Sequence, residues 1–291
     1  MNTRARAERR LAWWLCAPAV AVMLVVTAFP IAYALWLSLF RYDLRFPGDR
    51  YFVGLSNYAS VLGSEVWWQA LANTLIITAS SVAVELVLGF ALAALMHRVM
   101  FGRSIVRASI LVPYAIITVV AALAWRLAFD PATGFVNALL GLERAWLSER
   151  ASALFVRVFG EIWKTTPFLA LLLLAGLTLV PQDVLLAARM DGASVLQRLW
   201  RVTLPLMKPA VLDALLFRTL DAFRIFDTVF VLTRGALDTE TVAIVGYNTL
   251  ISRLNLGLGS AVSVLIFVCV LAIAWLYIKG FGVSFDNERR P

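Results

Sequence analysis

The chain has 291 residues, of which 62% are hydrophobic and 15% are charged, and its mean hydropathy is +0.84. This composition excludes an ordinary soluble domain and is typical of an integral membrane protein. The formal net charge of +8 does not indicate a nucleic-acid-binding protein, because the basic residues stand mostly at the ends of apolar runs and not along one face.

Six apolar runs are long enough to cross a hydrocarbon core of about 30 Å as helices, so the chain is expected to be an all-α membrane protein. In chain order they cover residues 11–40, 70–96, 105–129, 152–180, 204–232 and 259–278. Residues 1–10 and 279–291 are expected to be terminal tails, and residues 11–40 the first transmembrane helix. Residues 70–278 are expected to form a core that contains the other five helices.

The distribution of Lys and Arg predicts the orientation of these spans. Fourteen such residues stand before the first span or follow the second, fourth and sixth, and eight stand in the alternate loops. Because cytoplasmic loops carry the excess of basic residues, both termini are expected to be cytoplasmic. The first apolar run, of about thirty residues, is longer than the roughly 7–15 residues of a secretion signal, so we expect an uncleaved first span.

A polar, helix-forming segment interrupts the apolar pattern between the fourth and fifth spans. A helix is predicted to start at Pro181-Gln182-Asp183, because Pro is tolerated in the first turn and Asp satisfies free amides there. Gly192 is expected to end this helix in a left-handed conformation, and Ser194 to cap a second short helix to about Arg201. The segment is therefore predicted to form a rigid helix–turn–helix on the cytoplasmic face; a solvated loop is the alternative.

The fifth span carries charges at every third position: Arg218, Asp221, Arg224 and Asp227. This spacing predicts a slowly turning stripe on one helix face. Charges at such depth usually pair with one another or face an aqueous cavity. The stripe is therefore either a salt-bridge ladder that packs helices or part of a translocation path.

Polar residues in the second and fourth spans are further candidates for the same path. Glu161 and Lys164 are spaced i,i+3, which allows them to neutralise each other, and Trp163 lies beside them. Asn73 begins a polar face in the second span, for which helix–helix hydrogen bonding is the alternative role. Glu85 is another carboxylate within an apolar span.

Two ordered patterns in the polar segment resemble a known family. They are Ala187-Ala188-x-x-Asp191-Gly192-Ala193 and Val202-Thr203-Leu204-Pro205-x-x-x-Pro209. Together they resemble the cytoplasmic signature loop of ABC-importer permeases, although the family pattern usually has Glu where this chain has Leu186. The resemblance implies a six-helix type I importer permease with a cytoplasmic coupling helix. It implies contact with an ATP-hydrolysing subunit through Leu186, Ala187, Ala188, Arg189, Asp191, Gly192 and Ala193.

Further motifs extend the resemblance to nearly the whole chain. Gly54-Leu55-x-Asn57-Tyr58 resembles the sugar-transporting branch, and the runs from Glu161 to Phe168 and from Phe217 to Asp227 resemble the first permease subunit of trehalose importers. The resemblance implies a multi-pass subunit of the bacterial plasma membrane that imports a sugar, such as the disaccharide trehalose. The implied partners are a second homologous permease, two cytoplasmic ATP-binding subunits that hold MgATP, and an external solute-binding protein.

A stand-alone secondary carrier that uses buried carboxylates for proton coupling is the alternative function. The chain has no G-x-x-x-x-G-K-[ST] phosphate loop, so ATP hydrolysis is expected in partner subunits only. Its single histidine, His97, cannot build a histidine metal site, and Cys16 and Cys269 both lie in apolar segments. We therefore expect a transport subunit that is not an enzyme and that holds no metal or cofactor of its own.

Overall fold

The computed structural model describes residues 3–46, 48–98 and 102–281, and most of them lie in helices. The α-helices are α1 Thr3–Leu37, α2 Ser56–Leu62, α3 Glu65–Arg98, α4 Arg103–Ala115, α5 Thr118–Ala128, α6 Phe135–Leu140, α7 Arg150–Thr178, α8 Gln182–Met190, α9 Val195–Arg198, α10 Leu204–Leu206, α11 Lys208–Phe223, α12 Asp227–Leu232, α13 Val242–Tyr247 and α14 Leu256–Phe281. Two π-helical turns cover Leu199–Thr203 and Asn248–Ser252. Two short strands, β1 Phe40–Arg41 and β2 Tyr51–Phe52, pair antiparallel with Phe40 opposite Phe52.

The chain divides into two compact units. The first comprises Met1–Glu65 with Gly246–Val268, and the second comprises Val66–Val245 with Cys269–Pro291. Each is described by its own contacts below.

Four of the described helices are long and apolar enough to cross a membrane: Arg10–Leu37 within α1, α3, α7, and Leu256–Gly280 within α14. They correspond to the first, second, fourth and sixth expected spans. Helix α1 begins at Thr3 and so includes most of the expected amino-terminal tail, residues 1–10. Helix α14 continues to Phe281, and the rest of the expected carboxyl-terminal tail, residues 282–291, lies outside the described residues.

The third expected span, residues 105–129, is not one continuous helix. Helices α4 and α5 are bent by 80° relative to each other. Between them, Ile116 has φ −69° and ψ 135°, and Ile117 has φ −56° and ψ 130°. Pro113, near the end of α4, has no N–H and removes one helical hydrogen bond. Hydropathy does not show this break, because it measures composition and not backbone hydrogen bonding.

The fifth expected span, residues 204–232, is also divided. Met207 separates α10 from α11, and residues 224–226 separate α11 from α12. At 16 residues α11 is about 24 Å long, shorter than the roughly 30 Å hydrocarbon core. Within the described residues, the six continuous spans expected from the sequence are therefore four long helices, the bent α4–α5 pair and the interrupted α10–α12 segment.

Polar contacts fix the segment that follows α1 in the first unit. The Asn57 side chain donates to the carbonyls of Ser38 at 2.7 Å and Phe40 at 2.9 Å. The hydroxyls of Ser38 and Tyr58 lie 2.6 Å apart. Gly257 passes so close to the Phe40 carbonyl that a Cβ at this position would overlap it. These contacts explain the polar residues of the Gly54-Leu55-x-Asn57-Tyr58 motif as structural.

Two carboxylates in the loops between the long helices accept local hydrogen bonds. The Arg45 guanidinium binds Asp43, with 2.6 Å between Nη2 and Oδ2, and lowers the pKa of Asp43 to about 2. In the second loop, the backbone amide and hydroxyl of Thr133 and the amide of Ala132 donate to Asp130 and lower its pKa. Both carboxylates are therefore ionised at neutral pH.

Helix α7 is central in the second unit. Its apolar side packs with α3 and α11 in a core formed by Ala93, Met96, Leu169, Ala170, Leu173, Leu174, Leu177, Val180, Met207 and Ala214. Gly176 allows α11 to approach, because a Cβ at Gly176 would lie 2.6 Å from the Cβ of Ala210. This packing holds the polar residues of α7 against the two broken spans.

Candidate functional site: a membrane cavity and a coupling segment

A cavity of 720 Å³ lies in the second unit, where the two broken spans face α7. The α4–α5 break and the helix ends beside it contribute Tyr114, Ile116, Ile117 and Thr118. Helix α7 contributes Glu161, Lys164 and Thr165. The α11–α12 break and the helix ends beside it contribute Asp221, Arg224, Ile225, Phe226, Asp227 and Thr228. Irregular backbone at membrane depth is tolerated where it is buried in protein or lines a water-filled cavity. Both interruptions therefore form the wall of one polar cavity, which we call the central cavity.

Lys164 supports the first interruption. Its ammonium group donates to the carbonyls of Tyr114 at 3.1 Å and Ile116 at 2.8 Å, which the end of α4 leaves without helical partners. The same group lies 5.5 Å from the centroid of the Tyr114 ring, which stacks on Phe168 at 5.1 Å. Glu161 and Lys164 form no direct ion pair, because Glu161 accepts a hydrogen bond from Arg218 and Lys164 binds backbone carbonyls.

The second interruption corrects the expected stripe of four charges. Helix α11 ends at Phe223, Arg224 follows it, and Asp227 begins α12, so the four residues are not on one helix face. Arg218 is fully buried, whereas the side chain of Asp221 is 68% exposed. Asp221, Arg224 and Asp227 line the central cavity, and Arg218 lies behind its wall.

Arg218 joins three helices through buried ion pairs. Its Nε and Nη2 donate to Glu85 of α3 at 2.5 and 3.0 Å, and Nη2 also donates to Glu161 of α7 at 2.9 Å. Nη1 donates to Asp221 at 2.8 Å, and the Thr165 hydroxyl donates to Glu85 at 2.8 Å. We call these five residues the Arg218 cluster. The salt-bridge alternative from the sequence therefore applies to Arg218 and Asp221, with Glu85 and Glu161 as additional partners.

Two other path candidates do not line the central cavity. The Trp163 ring packs edge-on against Trp125, with centroids 5.4 Å apart. Asn73 is fully buried; its side chain donates to the carbonyls of Asp238 at 2.8 Å and Glu240 at 2.9 Å and accepts from Arg150 at 2.9 Å. Asn73 therefore holds the segment after α12 in place. This is a structural hydrogen-bonding role, like the helix–helix hydrogen bonding that the sequence left as the alternative to lining the path.

Arg157 holds the same segment, and sequence reasoning missed it. Its guanidinium is fully buried, donates to the carbonyl of Thr239 at 2.7 Å and to its hydroxyl at 2.9 Å, and also donates to the Thr233 hydroxyl. Between these threonines, Arg234, Leu237 and Asp238 all have positive φ angles. The sequence did contain a signal for this role: Arg157 lies within an apolar span, and a charged residue at that position needs a polar partner.

The coupling loop expected over residues 183–201 lies within residues 182–203 of the structure, which we call the coupling segment, and it has the local structure expected from its sequence. Helix α8 ends in a Schellman motif, in which the amides of Gly192 and Ala193 donate to the carbonyls of Arg189 and Ala188. Gly192 has φ +77°. Ser194 and Gln197 then form a reciprocal capping box at the start of α9. The segment is thus a capped helix–turn–helix and not an irregular loop.

The surface of the coupling segment is unusually apolar for a polar interruption. Large side chains are exposed on α8 and on the turns that follow it: Leu186, Met190, Val195, Leu196 and Trp200. Of the coupling candidates, Ala187, Arg189, Asp191 and Gly192 are also exposed, and Ala188 and Ala193 are half-buried. An exposed apolar patch of this kind is typical of a surface that contacts another protein or a membrane. Leu186, which replaces the usual glutamate, is part of it.

Residues 85–278 match the family of binding-protein-dependent transport system inner membrane components. The chain belongs to this family. The permease is 55% identical to the trehalose transport system permease protein SugA of Mycobacterium tuberculosis, over 96% of this chain and 91% of that protein. It is 38% identical to the trehalose/maltose transport system permease protein MalF of Thermococcus litoralis, over 94% of each chain.

The fold of the permease also matches solved structures. A chain of a bacterial alginate ABC transporter, crystallised with an alginate-pentasaccharide-bound periplasmic protein, superposes with a TM-score of 0.81 over 95% of both chains at 19% identity. The type I permease fold expected from the sequence is therefore confirmed. The chain is a membrane component of an ABC importer, and the alternative of a stand-alone proton-coupled carrier is wrong.

Proposed function

We propose that the permease forms half of the translocation path of an ATP-driven sugar importer and that its cargo is a disaccharide such as trehalose. The observation that carries the proposal is the central cavity, where both helix interruptions meet. Its 720 Å³ lies within the range of about 300–1,000 Å³ that small-molecule sites occupy. Two relatives, a trehalose and a trehalose/maltose transport system permease protein, support the choice of sugar.

The lining of the central cavity suits a polyhydroxylated ligand. The carboxylates of Asp221 and Asp227 accept hydrogen bonds from hydroxyl groups, and the Arg224 guanidinium donates to them. Tyr114 and Phe226 supply aromatic faces for the C–H side of a sugar ring. A sugar held by several hydrogen bonds of moderate strength, without a full ion pair, can also be released from the cavity, as transport requires.

The remaining parts of the importer follow from the family and from the exposed apolar patch of the coupling segment. A second homologous permease would form the other half of the path. Two cytoplasmic subunits would bind MgATP and receive Leu186, Ala187, Ala188, Arg189, Asp191, Gly192 and Ala193, with apolar packing by Leu186 in place of a carboxylate contact. An external solute-binding protein would deliver the sugar, and both termini of the permease would be cytoplasmic.

Trehalose uptake by the reconstituted transporter tests the role of the central cavity. D227N removes a carboxylate that lines it, and we expect uptake to fall by about tenfold or more, the effect of losing a hydrogen bond to a charged group. D213N changes an exposed carboxylate of α11 outside the cavity and is the matched control. Equal uptake by D227N and D213N would contradict the proposed path.

A further inference from the structure

A second cavity, of 380 Å³, lies between the carboxyl-terminal ends of α3 and α7 and the coupling segment. Four basic side chains line it: His97 and Arg98 of α3, Arg189 of α8 and Arg198 of α9. Its opposite wall is apolar and includes Phe90 and Leu177. We call this cavity the basic groove. It is separate from the central cavity, with which it shares no lining residue.

Among the described residues that line the basic groove there is no Asp or Glu, so no carboxylate of this lining compensates its positive charges. Arg98, Arg189 and Arg198 make no salt bridge within the part of the chain that the structure describes. Three guanidinium groups that converge on one cavity favour an anionic occupant, and a phosphate group accepts from guanidinium groups in bidentate geometry.

The position of the basic groove relates it to the membrane surface. Helix α3 has 34 residues and is therefore about 50 Å long, which exceeds a hydrocarbon core of about 30 Å. If this excess extends past the cytoplasmic boundary, His97 and Arg98 at the end of α3 reach the headgroup region, and Phe90 lies about two turns deeper. A ligand of the groove meets guanidinium groups at one end and an apolar wall at the other.

We propose that the basic groove binds an anionic phospholipid of the cytoplasmic leaflet. The lipid phosphate would contact Arg98 and Arg198, while Arg189 at the rim stays available to the ATP-binding subunits, and an acyl chain would lie along Phe90 and Leu177. Basic pockets at the cytoplasmic ends of transmembrane helices are suited to anionic headgroups. Because Arg198 belongs to α9 and Arg98 to α3, the lipid would tie the coupling segment to the membrane-spanning helices. The inference rests on the cytoplasmic orientation in the proposed function.

Native mass spectrometry of the full-length chain in detergent micelles tests this site. Dioleoyl phosphatidylglycerol and dioleoyl phosphatidylcholine, which share their acyl chains, are added at equal concentration and the retained lipid is counted. We expect wild type to retain phosphatidylglycerol about tenfold better, and R98Q/R198Q to lose that preference, because each basic residue near an anionic surface contributes to binding. R98K/R198K keeps both charges and is expected to retain the preference.

The double variant R201Q/K208Q is the matched control, since it removes two exposed positive charges outside the basic groove. If the lipid binds in the basic groove, R201Q/K208Q retains the wild-type preference for phosphatidylglycerol. Equal retention by R98Q/R198Q and R201Q/K208Q would overturn the proposal, as would loss of the bound lipid when the ATP-binding subunits assemble on the permease. Trehalose import without any lipid preference would overturn the lipid site alone, whereas lipid binding without ATP-dependent import would overturn the proposed function alone.

Discussion

Arg218 connects α3, α7 and α11 through one guanidinium group. Glu85 and Glu161 are buried with it, and both would lose their cationic partner if Arg218 were removed. A buried carboxylate without a partner is strongly destabilising, since water no longer compensates its charge. Arg224, six residues further along the chain, is exposed in the central cavity and makes no salt bridge with another described residue.

The contrast between these two arginines is testable. We expect R218M to lower the free energy of unfolding by about 3–5 kcal/mol, because it leaves buried carboxylates unpaired. R224M is expected to retain stability and to lose trehalose uptake. Thermal unfolding of the purified variants, followed by uptake after reconstitution, separates the two effects. Comparable stability of R218M and R224M would show that the Arg218 cluster does not hold the helices.

The Arg218 cluster also sets the outcome of a charge swap. In R218D/D221R the new aspartate would face Glu85 and Glu161, and like charges at such distances repel. We therefore expect R218D/D221R to be less stable than wild type. If Arg218 and Asp221 paired only with each other, exchanging them would instead preserve the ion pair and the stability.

Lys164 is the positioning residue of the α4–α5 break. K164M removes the donor to the Tyr114 and Ile116 carbonyls, and we expect stability to fall by about 1–3 kcal/mol together with slower uptake. K164R keeps a charged donor and is expected to recover part of both. K208M, at an exposed lysine of α11, is the control. Unchanged unfolding of K164M would mean that the break needs no side-chain donor.

At the scale of elements, the rigidity of the coupling segment depends on the backbone of Gly192. A Cβ at Gly192 would meet nothing within 4 Å, so space does not explain the glycine. The φ angle of +77° explains the glycine. A left-handed backbone conformation destabilises most residues by roughly 1–2 kcal/mol, and it is least unfavourable for Gly, Asn and Asp. Substitutions here thus change backbone preference without a clash.

Two substitutions of Gly192 are expected to differ for that reason. G192V disfavours the left-handed turn, and we expect more ATP to be hydrolysed per trehalose imported by the reconstituted transporter. G192N tolerates positive φ and is expected to keep the wild-type ratio. The ratio of phosphate released to sugar accumulated is the measurement. Identical ratios in both variants would mean that coupling does not require this turn.

The sequence contains no G-x-x-x-x-G-K-[ST] phosphate loop, and the proposed function assigns ATP hydrolysis to partner subunits. We expect proteoliposomes with the complete importer to accumulate trehalose when MgATP is supplied to the ATP-binding subunits, and to be unaffected by a proton uncoupler. Liposomes with the permease alone are the control and are expected to accumulate none. Uptake that persists without ATP and stops with the uncoupler would contradict the proposed energy source.

The sequence by itself determined the helical membrane class and the coupling segment, because both depend on local features. Apolar runs predict α1, α3, α7 and α14, and Gly192 and Ser194 predict the turn between α8 and α9. Only the tertiary structure decided how the charges are used. Arg218 meets Glu85 and Glu161 at separations of 133 and 57 residues, and Lys164 meets Ile116 at 48. A local residue, Pro113, weakens the helix at the α4–α5 break, but the donor that satisfies the freed carbonyls, Lys164, is brought there only by the packing of α7.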